Sequence, residues 1–201
     1  MTNGITTEIP FPDPRQDSFS KNILGFWIYL MTDCVLFATL FTTYAVLHNN
    51  TFGGPSSHDL FGLTIPLSET LILLVSSFAS GFGMLAACRG DKNKIFLWFG
   101  CAFLLGLSFV YMEIAEFRQI LQEGYSWETS AFLSSFFTLV GTHGLHVTIG
   151  LFWMLILMLQ IGIGGLNVMT FRRLACFTLF WHFLDLIWIF IFTFVYLVGV
   201  A

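Results

Sequence analysis

Five long apolar stretches constrain this chain more than any other feature: Ile23 to Leu47, Pro66 to Cys88, Ile95 to Glu116, Ala131 to Gln160 and Leu174 to Val200. A helix rises about 1.5 Å per residue, so about 20 residues cross a hydrocarbon layer about 30 Å thick, and every stretch reaches that length. In lipid only helices and closed barrels satisfy each backbone N–H and C=O, and these stretches lack the alternation of barrel strands. The expected fold is therefore all-α: one integral membrane bundle of five transmembrane helices over residues 23–200, behind a polar segment 1–22. Composition agrees. With 56% hydrophobic residues, 25 Phe and 10% charged residues, against about 25% charged in a soluble domain, the chain has more apolar surface than one core can hide.

The connections are short, and the longest, Asn49 to Ile65, carries Gly53, Gly54 and Pro55 as turn formers. The segment with Pro10, Pro12 and Pro14 lacks the pattern of a cleavable signal peptide. Positive charge is retained on the cytoplasmic side of short loops. Arg15, Lys21, Arg89, Lys92, Lys94, Arg172 and Arg173 fall on one side and Arg118 alone on the other, which predicts a cytoplasmic amino terminus and a periplasmic carboxyl terminus. Eight Lys and Arg with a net charge of −4 form no basic stripe, so no nucleic acid partner is expected. Cys34, Cys88, Cys101 and Cys176 form no C-x-x-C pair and read as small buried hydrophobes, not as disulfide or zinc ligands.

Ala79, Gly83 and Ala87 recur every four residues, a face suited to close helix packing, and Gly141, Gly144 and Gly150 invite a similar approach in the fourth span. Trp27, Tyr29, Tyr44, Trp98, Trp127 and Tyr196 fall near span ends, as interfacial anchors do.

Ionisable groups at bilayer depth are expensive and mark function or tight structure. Asp33 lies about 15 Å into the first span at 1.5 Å per residue. Glu69, at the start of the second span, and Glu113 and Glu116, at the end of the third, share one level, so these carboxylates can cluster. His143 and His146 lie three apart in the fourth span, and His182 and Asp185 repeat the spacing in the fifth, at depths that let His143 and His182 meet. Three readings follow. The imidazoles could ligate a haem or metal, they could make interhelical hydrogen bonds with Asp185 or Thr142, or the carboxylates could relay protons. Three membrane histidines are few for a centre that handles oxygen, and the carboxylate depths do not form a continuous path, so hydrogen bonding between helices is the expected role. No catalytic, cofactor-binding or metal-binding residue is expected in this chain.

Around these residues the strings Thr142-His143-Gly144-Leu145-His146-Val147, with Gly150 beyond, and Trp181-His182-Phe183-Leu184-Asp185, with Trp188 and Tyr196, resemble the last two helices of subunit III of the haem-copper respiratory oxidases. Ala115-Glu116-Phe117 looks like the carboxylate motif of that family's preceding helix, and Gly90-Asp91-Lys92 like its basic turn. The resemblance runs from about Gly25 to Gly199, without the first two helices of the seven-helix cytochrome c oxidase form. It is similar to the five-helix form of bacterial quinol oxidases, and Phe26-Trp27-Ile28-Tyr29-Leu30-Met31-Thr32-Asp33-Cys34 looks most like the cytochrome o ubiquinol oxidase branch. Asp33 stands where cytochrome c oxidases carry a buried, carbodiimide-reactive Glu. The resemblance implies an accessory, non-catalytic subunit in the bacterial inner membrane. Its partners would be subunit I, which carries the haems and copper, and subunits II and IV, with phospholipid bound in grooves. The alternatives are subunit III of a cytochrome c oxidase, a small b-type haem protein using His143 and His182, and a proton-coupled carrier built around Asp33.

Overall fold

The computed structural model describes residues 17–48 and 64–197, and the structure is all-helical there. Five helices follow in order: α1 (Asp17–Leu47), α2 (Thr64–Cys88), α3 (Lys92–Gln122), α4 (Ala131–Gly164) and α5 (Val168–Ile191), the last continuing as a π-helical turn over Phe192–Leu197. All five are long and apolar enough to cross a membrane. The N-terminal prolines, Arg15, the glycines and proline of the longest connection, and Val198–Val200 lie outside the described residues.

The helices outrun the apolar stretches. α1 begins six residues before Ile23, and α3 continues six residues past Glu116. Hydropathy marks the part of a helix that sits in hydrocarbon, whereas the backbone hydrogen-bond ladder persists through polar residues beyond it. Ends come where the backbone can leave the helix. Ser130 caps α4, its Oγ accepting from the Leu133 N–H at 3.1 Å. Gly165 closes the same helix at φ 70°, with its N–H on the Ile161 carbonyl. Gly90, at φ 74°, makes the α2–α3 turn. The Lys92 Nζ lies 3.1 Å from where a Cβ of Gly165 would be, so the two turns carrying Arg89, Lys92 and Lys94 and leading to Arg172 and Arg173 share one end of the bundle. That end is called basic below, and the opposite end acidic.

α3 packs between α2 and α4, while α5 lies against α1, α2 and α4. In its most apolar window 56% of α5 is buried, against 17% of α1, so α5 is the hub and α1 the periphery. α1 is attached along one stripe, Leu30, Asp33, Phe37 and Tyr44, at helical spacing and facing α4 and α5. Lipid tails are as apolar as the side chains, so close van der Waals packing, and not water exclusion, must hold these helices together.

The small residues permit that packing. Ala79, Gly83 and Ala87 are buried, and Gly83 takes the ring of Phe99 from α3 at a distance where a methyl group would collide. The cysteines differ from expectation. Cys34 and Cys176 are half-buried, and Cys88 and Cys101 are exposed on the bundle surface, since in lipid a thiol gains little by turning inward.

Candidate functional site

The polar chemistry of the bundle is arranged around two tryptophans of α5. Trp181 and Trp188 lie seven residues apart, two turns along one face, and both are buried. The Trp181 indole wedges between Gly106 of α3 and Gly150 of α4, where an added Cβ would come within 2.9 Å of the ring on either side. Its Nε1–H donates to Ser76 Oγ of α2 at 3.1 Å, and that hydroxyl donates to the Ala102 carbonyl of α3 at 3.0 Å. One indole thus touches three other helices. Trp188 Nε1–H donates to Thr70 Oγ1 of α2 at 3.1 Å, its ring meets Phe109 of α3 edge-on at 4.7 Å, and its face stacks on His143 of α4 at 5.2 Å.

His143 is fully buried in that aromatic box, with Phe37 of α1 and Phe109 as further walls. Neither ring nitrogen has a hydrogen-bond partner among the described residues. His146 places Nδ1 2.7 Å from the Thr142 carbonyl of its own helix, with its ring against Phe37. His182 does likewise with the Thr178 carbonyl at 2.7 Å, on the exposed side of α5, with Nε2 beside Gly81 of α2. His143 and His182 therefore face different neighbours, and the interhelical hydrogen bonds expected of the histidines are made by Trp181, Trp188 and Tyr196. The reason is local. A carbonyl one turn back is always within reach of a helical imidazole, so the bond forms without a second helix. The three histidines assemble no shared ligand set, and no group of three His, Cys, Asp or Glu suited to a metal ion occurs among the described residues.

At the acidic end the structure brings Glu69, Glu113 and Glu116 together from α2 and α3. Glu69 is fully buried and Glu113 nearly so, and the three interact electrostatically with one another and with Tyr196 of the π-helical turn. The Tyr196 hydroxyl donates to Glu116 Oε2 at 3.0 Å. The Glu113 carboxyl lies on Gly144 of α4, filling the space a Cβ would need. Both oxygens of Glu69 and one of Glu113 lack hydrogen-bond partners among the described residues, and no Lys or Arg of those residues forms an ion pair with the trio. Asp33 and Asp185 lie apart from it. Asp33 is buried on the α1 stripe facing Tyr29 one turn back, and Asp185 is buried facing Ser77 of α2 and His182.

Sequence reasoning placed Tyr44 and Tyr196 at the interface as anchors. Both are buried, Tyr44 against Phe132 and Tyr196 against Phe136 and Trp188. Trp27 and Trp127 are exposed, as anchors should be. Ser76, Thr70 and the two tryptophans were not singled out for hydrogen bonding. The available signal was a pair of mid-span indoles seven apart on the helix that also carries the His and Asp pair, facing spans rich in Ser and Gly.

The family model for cytochrome c oxidase subunit III matches residues 18–200. Cytochrome bo(3) ubiquinol oxidase subunit 3 of Pseudomonas aeruginosa is 56% identical, across 93% of this chain and 90% of the relative. Quinol oxidase subunit 3 of Bacillus subtilis is 46% identical, across 90% and 88%. Cytochrome c oxidase subunit 3 of Bacillus sp. strain PS3 is 46% identical, across 94% and 92%. With five helices of spanning length and a match along nearly its whole sequence, this chain is a multi-pass membrane protein that belongs to the cytochrome c oxidase subunit III family.

Proposed function

We propose that the chain is subunit III of a proton-pumping terminal quinol oxidase in the bacterial inner membrane, an accessory subunit of the ubiquinol to oxygen reaction that carries none of its electrons. The observation that carries this reading is the 56% identity, over 93% of the chain, to a ubiquinol oxidase subunit 3. The geometry supports the accessory role, because Trp181, Trp188, Ser76, Thr70 and Tyr196 are occupied with joining helices, and the histidines face separate neighbours. The haems and copper then belong to subunit I, with subunits II and IV as further partners. The 46% identity to a cytochrome c oxidase subunit 3 keeps cytochrome c as the second reading for the electron donor.

The basic end is the cytoplasmic one on this reading, as the Arg and Lys distribution predicts. Phospholipid has a place as well. Between α1 and α5 runs an apolar groove of about 560 Å³ lined by Phe37, Ala38, Phe41, Ala45, Phe190 and Phe194, which suits acyl chains. Solubilising membranes in mild detergent and recovering the tagged chain tests the assignment. The expected result is co-recovery of a haem-bearing polypeptide with ubiquinol oxidase activity. Recovery of the chain alone, or of an oxidase that accepts only cytochrome c, would contradict it.

A further inference from the structure

His182 is the one Asp, Glu or His deep in the described spans that is exposed. Asp33, Glu69, Glu113, His143 and Asp185 are buried, and Glu116 and His146 are half-buried. It lies about 21 Å along α5 from Val168 at 1.5 Å per residue, which is mid-membrane. One and two turns further along the same helix, Leu186 and Ile189 are exposed and lipid-like. The exposed threonines of α1 are satisfied at home. The exposed Thr32, Thr39, Thr42 and Thr43 hydroxyls each donate to a carbonyl of their own helix. His182 is satisfied on one side only. Its Nδ1 lies 2.7 Å from the Thr178 carbonyl, an oxygen that can only accept, so Nδ1 donates, and a ring with one proton leaves Nε2 as an acceptor. Nothing among the described residues donates to it.

The position of that acceptor is specific. Nε2 sits 4.0 Å from where a Cβ of Gly81 would be, over the seam between α2 and α5, with no atom of another helix nearer that point. Asp185 and Ser77 line the same seam one turn away, buried and facing each other across it, so they satisfy one another and not His182 Nε2. Hydrocarbon cannot satisfy an acceptor at this depth, whereas a neighbouring protein helix can. The bare Gly81 backbone lets such a helix approach closely.

We infer that the α2–α5 seam, with His182 at its centre, is where a transmembrane helix of another subunit of the same complex docks, presenting a hydrogen-bond donor (hydroxyl, amide or indole N–H) to His182 Nε2. This rests on the proposed role as an oxidase subunit and adds the contact surface. The seam is distinct from the α1–α5 groove, whose wall is mostly apolar side chains and whose one imidazole, His48, stands at the helix end and not deep in the span.

The test compares the tagged chain with His182→Leu, His182→Gln, Gly81→Leu and, on the membrane face of α3, Leu104→Trp, measuring oxidase polypeptides recovered per chain. His182→Leu and Gly81→Leu should lower recovery roughly three- to tenfold, the scale of one hydrogen bond between membrane helices. His182→Gln, whose amide oxygen supplies an acceptor, should restore much of it, and Leu104→Trp should have no effect. A melting curve of each recovered chain separates lost docking from a damaged bundle. Benzoylphenylalanine in place of Leu186 should cross-link to an identified oxidase subunit. Unchanged recovery with His182→Leu, equal loss with Leu104→Trp, or cross-linking to lipid alone would each overturn the seam assignment while leaving the subunit reading intact. A wild-type chain that recovers no oxidase polypeptide would overturn that reading, and the seam assignment with it.

Discussion

Single residues set how closely these helices approach. Trp181 fits because Gly106 and Gly150 lack side chains, and the same is true of Glu113 over Gly144 and Phe99 over Gly83. Gly106→Ala should therefore lower stability in detergent by about 1–3 kcal/mol, the usual cost of overpacking, read as a lower thermal midpoint. Gly25→Ala, with no atom within 4 Å of the new methyl, should leave the midpoint unchanged. Ser76→Ala keeps the wedge and loses only the hydroxyl that accepts from Trp181 and donates to the Ala102 carbonyl, so its effect should be smaller, about 0.6 kcal/mol and at most about 1.7 kcal/mol for each bond by analogy with other membrane helices. A larger loss for Ser76→Ala than for Gly106→Ala would show that the hydrogen bonds, and not the fit, dominate. The carboxylates obey a different logic. Glu69 is buried beside Glu113 and Glu116 with no paired cation among the described residues, so Glu69→Gln, of similar shape and without charge, should be tolerated. Glu69→Lys should be recovered poorly.

Elements differ in how firmly they are held. α5 is built in on several sides, whereas α1 attaches along the stripe of Leu30, Asp33, Phe37 and Tyr44, with Phe37 reaching both His143 and His146. Amides of α1 between residues 30 and 44 should exchange with deuterium at least about tenfold faster than those of α5 in detergent, and Phe37→Ala should widen the gap. Equal protection of the two helices would contradict this ranking. The spans themselves were legible from hydropathy, because lipid enforces long helices and tolerates few charges. The clustering of Glu69, Glu113 and Glu116 was legible too, since antiparallel neighbours bring equal depths together. Which side of a helix a residue faces was harder to read. His143 meets Trp188, about 9 Å along α5 from His182 at 1.5 Å per residue, so the two imidazoles expected to meet differ in depth as well as direction, and α5 is so uniformly apolar that no amphipathic stripe reveals its inner face. Tyr196 shows the same limit, because an aromatic near a span end reads as an anchor until the π-helical turn is seen to bury it against Glu116.

For the molecule as a whole, Trp181, Trp188, Ser76, Thr70 and Tyr196 join helices within the bundle, and His182 faces outward. On the proposed accessory reading neither arrangement calls for a redox centre in this chain. The most direct measurement is the reduced-minus-oxidised visible spectrum of this chain purified alone in mild detergent. The account predicts no Soret band at any loading of the protein. A Soret band that disappears with His182→Ala or His143→Ala would contradict it.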